Sequence, residues 1–110
     1  MIKVDALLDR EGILKSCGIE GHSGAGSRGN DIVCAAVSVL ARTCLQVLET
    51  KQCLTVRADA SERGRLYFEI DRGDKGRGFL EAVGSYLLEG IKSVAEEYPE
   101  NCTIFIAKEK

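Results

Sequence analysis

Apolar residues recur at every second position, or gather in runs of strand length, in five short segments of the chain. This is the pattern of β-strands that bury one face. The turn sequences at 9–12 and 61–64 each join two of these segments, so two hairpins are predicted. The five predicted strands are residues 2–8, 13–20, 54–58, 66–70 and 102–106.

Two longer segments carry apolar residues at intervals of three and four, which places those residues on one face of a helix. The first predicted helix runs from about Asn30 to Thr50, and the second begins near Phe79 and ends before Pro99. A polar, glycine-rich loop is predicted over 71–78. The predicted apolar stripes are Val33, Val37, Leu40, Cys44, Val47 and Leu48, then Phe79, Val83, Leu87, Ile91, Val94 and Tyr98.

The order of these elements, ββαββαβ, predicts an α+β fold in which two helices pack on a mostly antiparallel sheet. A chain of 110 residues with no linker is expected to form a single domain, residues 1–110. The order of the strands does not follow from the pattern. The first hairpin is free, at this point, to form a separate small sheet.

Charge and cysteine usage narrow the classes of function. A net charge of −2 argues against direct nucleic-acid binding and leaves room for a basic peptide partner. No signal peptide and no apolar run of membrane-spanning length are present, so we expect a cytoplasmic protein without a membrane partner. The five cysteines are odd in number, so we expect no disulfide framework, and they lack paired metal-ligand spacing, so we expect no metal site. No cofactor is expected either. Most of the cysteines are expected to be small buried hydrophobes.

A glycine-rich loop joins the first hairpin to the first helix. Residues 24–29 match the G-x-G-x-x-G pattern of dinucleotide-binding loops and lie between a strand and a helix. The preceding strand belongs to a hairpin, however, and Glu49, at the spacing of the expected acidic residue, falls within the predicted helix. A Gly-Lys-Ser/Thr phosphate loop is also absent. A small nucleotide- or phosphate-binding module therefore stands as an alternative function.

The same loop carries a candidate Cys–His pair. Cysteine attacks as its thiolate, which both the start of a helix and a neighbouring imidazolium favour. Cys34 lies one turn into the predicted helix, and His22 stands at the loop entrance. Asp31 is either a third member that orients His22 or a helix cap. Structural roles for Cys34 in the core and for His22 as a loop cap stay open. The predicted flexible active-site loop contains Gly21, Ser23, Gly24, Gly26 and Gly29.

The segments Gly21-His22-Ser23-Gly24 and Gly29 to Ser38, which reads GNDIVCAAVS, resemble the signature of the ribosomal-processing cysteine protease Prp family. The likeness extends over the chain in length and element order. It implies a cytoplasmic bacterial endopeptidase that removes a short N-terminal extension from a large-subunit ribosomal protein. It also implies a homodimer, with Cys34 as nucleophile and His22 as general base and acid. A noncatalytic ribosome-associated protein is the second alternative.

Overall fold

The structure is a computed structural model that describes residues 1–21, 28–62 and 64–110, and of residues 28–31 only the backbone. Its elements follow the predicted order ββαββαβ, and the α+β class is confirmed. They are β1 (Ile2–Leu8), β2 (Leu14–Glu20), α1 (Arg28–Leu48), β3 (Leu54–Asp59), β4 (Arg65–Arg72), α2 (Arg77–Glu97) and β5 (Cys102–Lys108).

The five strands form one sheet in the order β3-β4-β2-β1-β5. Three neighbouring pairs are antiparallel, and β1 pairs with β5 in parallel, so the prediction of a mostly antiparallel sheet is confirmed. The suggestion that the first hairpin forms its own sheet is wrong. Parallel alignment requires a crossover connection, and α1 and α2 supply one each, from β2 to β3 and from β4 to β5. Each helix therefore connects two strands that are not neighbours in the sheet. Strands β3 and β5 form its edges.

Both helices cover one face of the sheet and enclose the core. Each predicted stripe has the correct period, but its boundaries differ from the buried face. Ala41 is buried, whereas Val47 is 37% exposed and Leu40 only half-buried. Leu80 and Leu88 are likewise buried. The predicted stripes contained the large apolar residues. Burial instead depends on which positions face the sheet, and the small residue Ala41 is one of them.

A glycine on α2 sets the distance between that helix and the sheet. A Cβ atom on Gly84 would stand 2.9 Å from the Cβ atom of Leu14 on β2. Because real Cβ atoms do not approach that closely, only glycine allows this packing. Gly78, in the first turn of the same helix, has no atom within 4 Å of the equivalent position.

The segment predicted as a polar loop over 71–78 is largely ordered into elements. Strand β4 continues to Arg72, one 3₁₀ turn covers Asp74–Gly76, and α2 then begins. The Arg72 guanidinium contacts the Asp9 and Glu11 carboxylates at 3.2 and 3.1 Å, which fastens this end of β4 to the β1–β2 turn. No helix among the described residues is long and apolar enough to cross a membrane.

Candidate active site

Helix α1 places the thiol of Cys34 at the wall of a groove of about 350 Å³. The groove lies where α1 faces the end of the sheet at which β2 ends and β4 begins. Cys34 is half-buried and packs against the edge of the core. The thiol is therefore both supported by the fold and open to a molecule in the groove. The groove is lined by Ile2, Ile19, Gly21, Cys34, Val37, Ser38, Ala41, Arg42, Leu45, Gly64, Arg65 and Leu66.

The lining is apolar at its centre and cationic at its margin. Side chains from both layers form the apolar part, because α1 crosses the sheet there. Among the described lining residues, Arg42 and Arg65 are the charged ones, and Arg65 also pairs with Glu62 at 3.6 Å. No carboxylate belongs to the lining as far as residues 1–21, 32–62 and 64–110 form it. Such a groove suits an uncharged, largely apolar stretch of peptide better than a basic one.

Gly21 directly follows the last residue of β2 and lines the groove. Its N–H donates to the carbonyl oxygen of Gly64 at 2.9 Å, and its φ angle of +153° favours glycine. A Cβ atom here would stand 2.5 Å from the carbonyl oxygen of Met1. The position therefore requires glycine for two independent reasons, and His22 follows it directly in the sequence.

The other predicted site residues are placed only in part. His22, Ser23, Gly24 and Gly26 lie outside the described residues. Gly29 and Asp31 belong to the backbone of α1, so Gly29 is helical and not part of the loop to which it was assigned. Asp31 lies three residues before Cys34 on the same side of the helix.

The start of α1 changes the electrostatic expectation for Cys34. The helix begins at Arg28, two residues earlier than predicted, so Cys34 is its seventh residue. At a rise of about 1.5 Å per residue, Cys34 lies roughly 9 Å along the axis from the helix start. The helix dipole acts mainly within the first turn. The dipole is thus weaker at this position than the sequence suggested.

The remaining cysteines separate into two kinds. Cys17, Cys44 and Cys102 are buried, as predicted for most of these thiols, and Cys53 is exposed. Burial raises the pKa of Cys17 to about 12 and that of Cys44 to about 11. Burial also raises the pKa of Cys102. None of these four lines the groove, so Cys34 is its only thiol.

Sequence reasoning did not find the part of the groove that β4 contributes. Gly64, Arg65 and Leu66 reach it because β4 pairs with β2, with Leu66 opposite Ile19. The sequence predicted β4 itself but not its neighbour in the sheet. Arg42 carried a weak signal, being the one charged residue between Asp31 and Glu49 on the predicted helix.

Comparison with known proteins identifies relatives of the whole chain. The family model described as cysteine protease Prp matches residues 1–103. The crystal structure of SMU.848 from Streptococcus mutans is 33% identical, with a TM-score of 0.83, covering 99% of this chain and 96% of that one. A search of curated protein sequences finds no match.

Two further solved structures share the fold. The ribosomal processing protease Prp from S. aureus in complex with a substrate peptide is 22% identical, with a TM-score of 0.82, covering 96% of this chain and 99% of that one. The same protease with a covalently linked product peptide is 23% identical, with a TM-score of 0.79, covering 99% and 100%.

The fold and its thiol-lined groove, taken with these matches, define a small α+β cysteine hydrolase. Because the family model spans 103 of the 110 residues, the chain belongs to the cysteine protease Prp family. It is a cysteine protease.

Proposed function

We propose that this protein is a cytoplasmic endopeptidase that removes a short N-terminal extension from a large-subunit ribosomal protein during ribosome maturation. The observation that carries the proposal is the position of Cys34 in the groove that Gly21 also lines. His22 is bonded to Gly21, and Gly21 lines the groove together with the thiol, which supports His22 as the general base. The peptide complexes of the S. aureus relative support a peptide as the ligand.

The reaction uses Cys34 as nucleophile and His22 as the group that transfers protons. The thiolate sulfur attacks the carbonyl carbon of the scissile peptide bond, and a tetrahedral oxyanion forms. As the C–N bond breaks, the imidazolium of His22 gives its proton to the departing amine. Water, deprotonated by the neutral imidazole, then hydrolyses the thioester and restores the thiol–imidazole pair. Asp31 either orients the imidazole or caps α1.

The groove selects the segment that surrounds the scissile bond. Its centre is apolar and the charged residues of its described lining, Arg42 and Arg65, are cationic, which favours a neutral, apolar stretch over a basic one. The protein as a whole carries a net charge of −2, which attracts a basic ribosomal protein to the rest of its surface. Charge therefore orients the substrate as well as attracting it. Residues 1–110 form a single cysteine-protease domain in this proposal, and two copies form a homodimer.

The proposal is tested with the large-subunit ribosomal protein encoded in the same genome, purified with its N-terminal extension. Wild-type protein, Cys34→Ala and Cys53→Ala are compared by the intact mass of the product. We expect one cleavage with wild type and with Cys53→Ala, and none with Cys34→Ala. The matched control removes an exposed thiol that does not line the groove.

Two results would contradict the proposal. The first is processing of the extended protein by Cys34→Ala at the wild-type rate. The second is an intact substrate after incubation with folded wild-type protein, together with measurable binding of inorganic phosphate or a nucleotide. That second result would favour the phosphate-binding alternative for the glycine-rich loop.

A further inference from the structure

The face of the sheet that the helices leave uncovered carries two large aromatic side chains. Tyr67 on β4 is 43% exposed and Phe105 on β5 is 75% exposed. Strand alternation places both on the side opposite the buried Phe68 and half-buried Ile104. Exposed aromatic rings on an uncovered sheet face are typical of a surface that contacts a partner.

These rings lie in one row of register partners, which Asp59 on β3 continues beyond Tyr67. Gly18 on β2 is opposite Tyr67, Asp5 on β1 is opposite Gly18, and Phe105 is beside Asp5. Adjacent strands lie about 4.8 Å apart, so Asp5 is roughly 5 Å from Phe105 and 10 Å from Tyr67 across the sheet. Gly18 has no side chain and leaves a gap in this row. A Cβ atom on Gly18 would stand 3.7 Å from the Tyr67 ring. The row forms the base of a slot of about 370 Å³.

Other charged groups on this face have register neighbours of opposite charge, ion pairs or a hydrogen bond. Glu20 has Lys3 and Arg65 as its two register neighbours, one on each adjacent strand. Further charged contacts on this face are Arg57 with Glu69 at 3.9 Å, Arg65 with Glu62 at 3.6 Å, and the Asp59 carboxylate with the N–H of Ser61 at 2.9 Å.

Asp5 differs from these groups. Its register neighbours are Gly18 and Phe105, and it makes no ion pair with any residue that the structure describes. A carboxylate with Phe105 on the neighbouring strand presents a negative site that a cation can enter. The π-face of Phe105 attracts the same cation through its quadrupole, and Tyr67, roughly 15 Å away across the sheet, offers a second ring to a neighbouring cation of the same segment. The charge and the rings thus favour one class of ligand.

We infer that this slot binds a lysine or arginine side chain from a basic segment of the peptide substrate. The inference rests on the proposed function for the identity of the substrate, but the cationic preference comes from the slot itself. The slot and the Cys34 groove share Ile19, Arg65 and Leu66 in their linings, so they adjoin at the ends of β2 and β4. The substrate thus places an apolar segment against Cys34 and a basic segment on the uncovered face. RNA is disfavoured there because the unpaired charge is negative.

The test measures binding directly, so that it does not depend on turnover. Two fluorescein-labelled peptides without a cleavage site are compared by anisotropy, one containing three lysines and one with serines in their place. We expect wild-type protein to bind the lysine peptide about tenfold more tightly, the sum of a surface ion pair and a cation–π contact. Asp5→Asn combined with Phe105→Ser should abolish that difference.

Glu69→Gln is the matched control, because it removes a carboxylate on the same face that is already paired with Arg57. It should leave the preference for lysine intact. Gly18→Val provides a second test by filling the slot, and it is expected to fold because a Cβ there meets only ordinary contacts. Melting temperatures establish that each variant is folded.

Three outcomes would overturn the inference. One is equal affinity of the wild type for both peptides, and another is an equal loss of the lysine preference in Glu69→Gln. The third is dissociation of a dimer by Phe105→Ser, seen by sedimentation, which would assign this face to a second copy. Failure of the proposed function is a separate result. It appears as an uncut ribosomal protein while the lysine preference and its loss in the variants remain.

Discussion

Alkylation of the five thiols by iodoacetamide at pH 5.5 should separate them into three classes. Burial raises the pKa of Cys17 from 9.0 to about 12 and that of Cys44 to about 11. Their thiolate fractions therefore fall about 1000-fold and 100-fold, and limited access slows them further. Cys53 is exposed and serves as the internal reference for an accessible thiol.

The expected rate for Cys34 follows from its proposed pairing with His22. An ordinary thiol, with a pKa of about 8.5, is only about 0.1% ionised at pH 5.5, whereas a thiolate paired with an imidazolium is mostly ionised. This gives roughly a 1000-fold advantage in thiolate. The lower basicity of a stabilised thiolate reduces its nucleophilicity by roughly 20- to 30-fold. In the proposed pair, Cys34 should therefore react about 30-fold faster than Cys53 at pH 5.5, and this advantage should disappear by pH 8, where an ordinary thiol is itself partly ionised.

Peptide mapping by mass spectrometry over a time course gives the rate at each site. The advantage of Cys34 should disappear in His22→Ala, while the rate at Cys53 is unchanged. Equal rates at Cys34 and Cys53 in the wild type at pH 5.5 would refute the reasoning. That result would leave Cys34 as an ordinary thiol at the edge of the core.

Three further predictions concern packing, acid stability and the third site residue. Gly84→Ala should lower the free energy of unfolding by about 1–3 kcal/mol through overpacking against Leu14. Gly78→Ala on the same helix should raise it by about 0.5 kcal/mol. Urea unfolding measures both variants, and equal effects would contradict the packing account. Burial alone would raise the pKa of Asp9. The backbone N–H groups of Ile13 and Glu11 and the Arg72 guanidinium outweigh burial, and the pKa is lowered from its usual value of 3.8. Its contribution is therefore complete above pH 3.8 and lost as the pH falls through the lower folded value, so the wild type should lose more stability than Asp9→Asn between pH 5 and pH 2; parallel curves would contradict this. Asp31→Asn should keep both its melting temperature and most of its turnover if Asp31 is a cap, and an unchanged melting temperature with turnover reduced at least a hundredfold would instead make it the third member of a triad.

The elements of the fold were predictable because each depends on local periodicity. Alternation predicted β1 and β4, and three-four spacing predicted both helices to within two or three residues at most ends. The strand order was not predictable, because it depends on which strands the two helical crossovers skip. That choice is made by packing between distant segments. For this reason the suggestion that the first hairpin forms a separate sheet was wrong.

The candidate site divides along the same line. Cys34 was found from its residue type and its place in a signature segment, and Gly21 from the glycine-rich loop. Arg65 and Leu66 were missed because they reach the groove only through the pairing of β4 with β2. The expected effect of the helix dipole on Cys34 was too large, because the capping residues placed the start of α1 two residues too late in the sequence. Local patterns thus identified the thiol, and tertiary pairing supplied the groove around it.

The most direct test of the account is a single-turnover reaction between excess enzyme and the extended ribosomal protein, quenched in acid and analysed by intact mass and peptide mapping. The account predicts a transient species in which the N-terminal fragment is joined to the enzyme through a thioester at Cys34. Its mass equals the enzyme plus the fragment minus one water, and it decays as the free fragment appears. Cleavage without any covalent species, or with the fragment attached to another residue, would contradict Cys34 as the nucleophile.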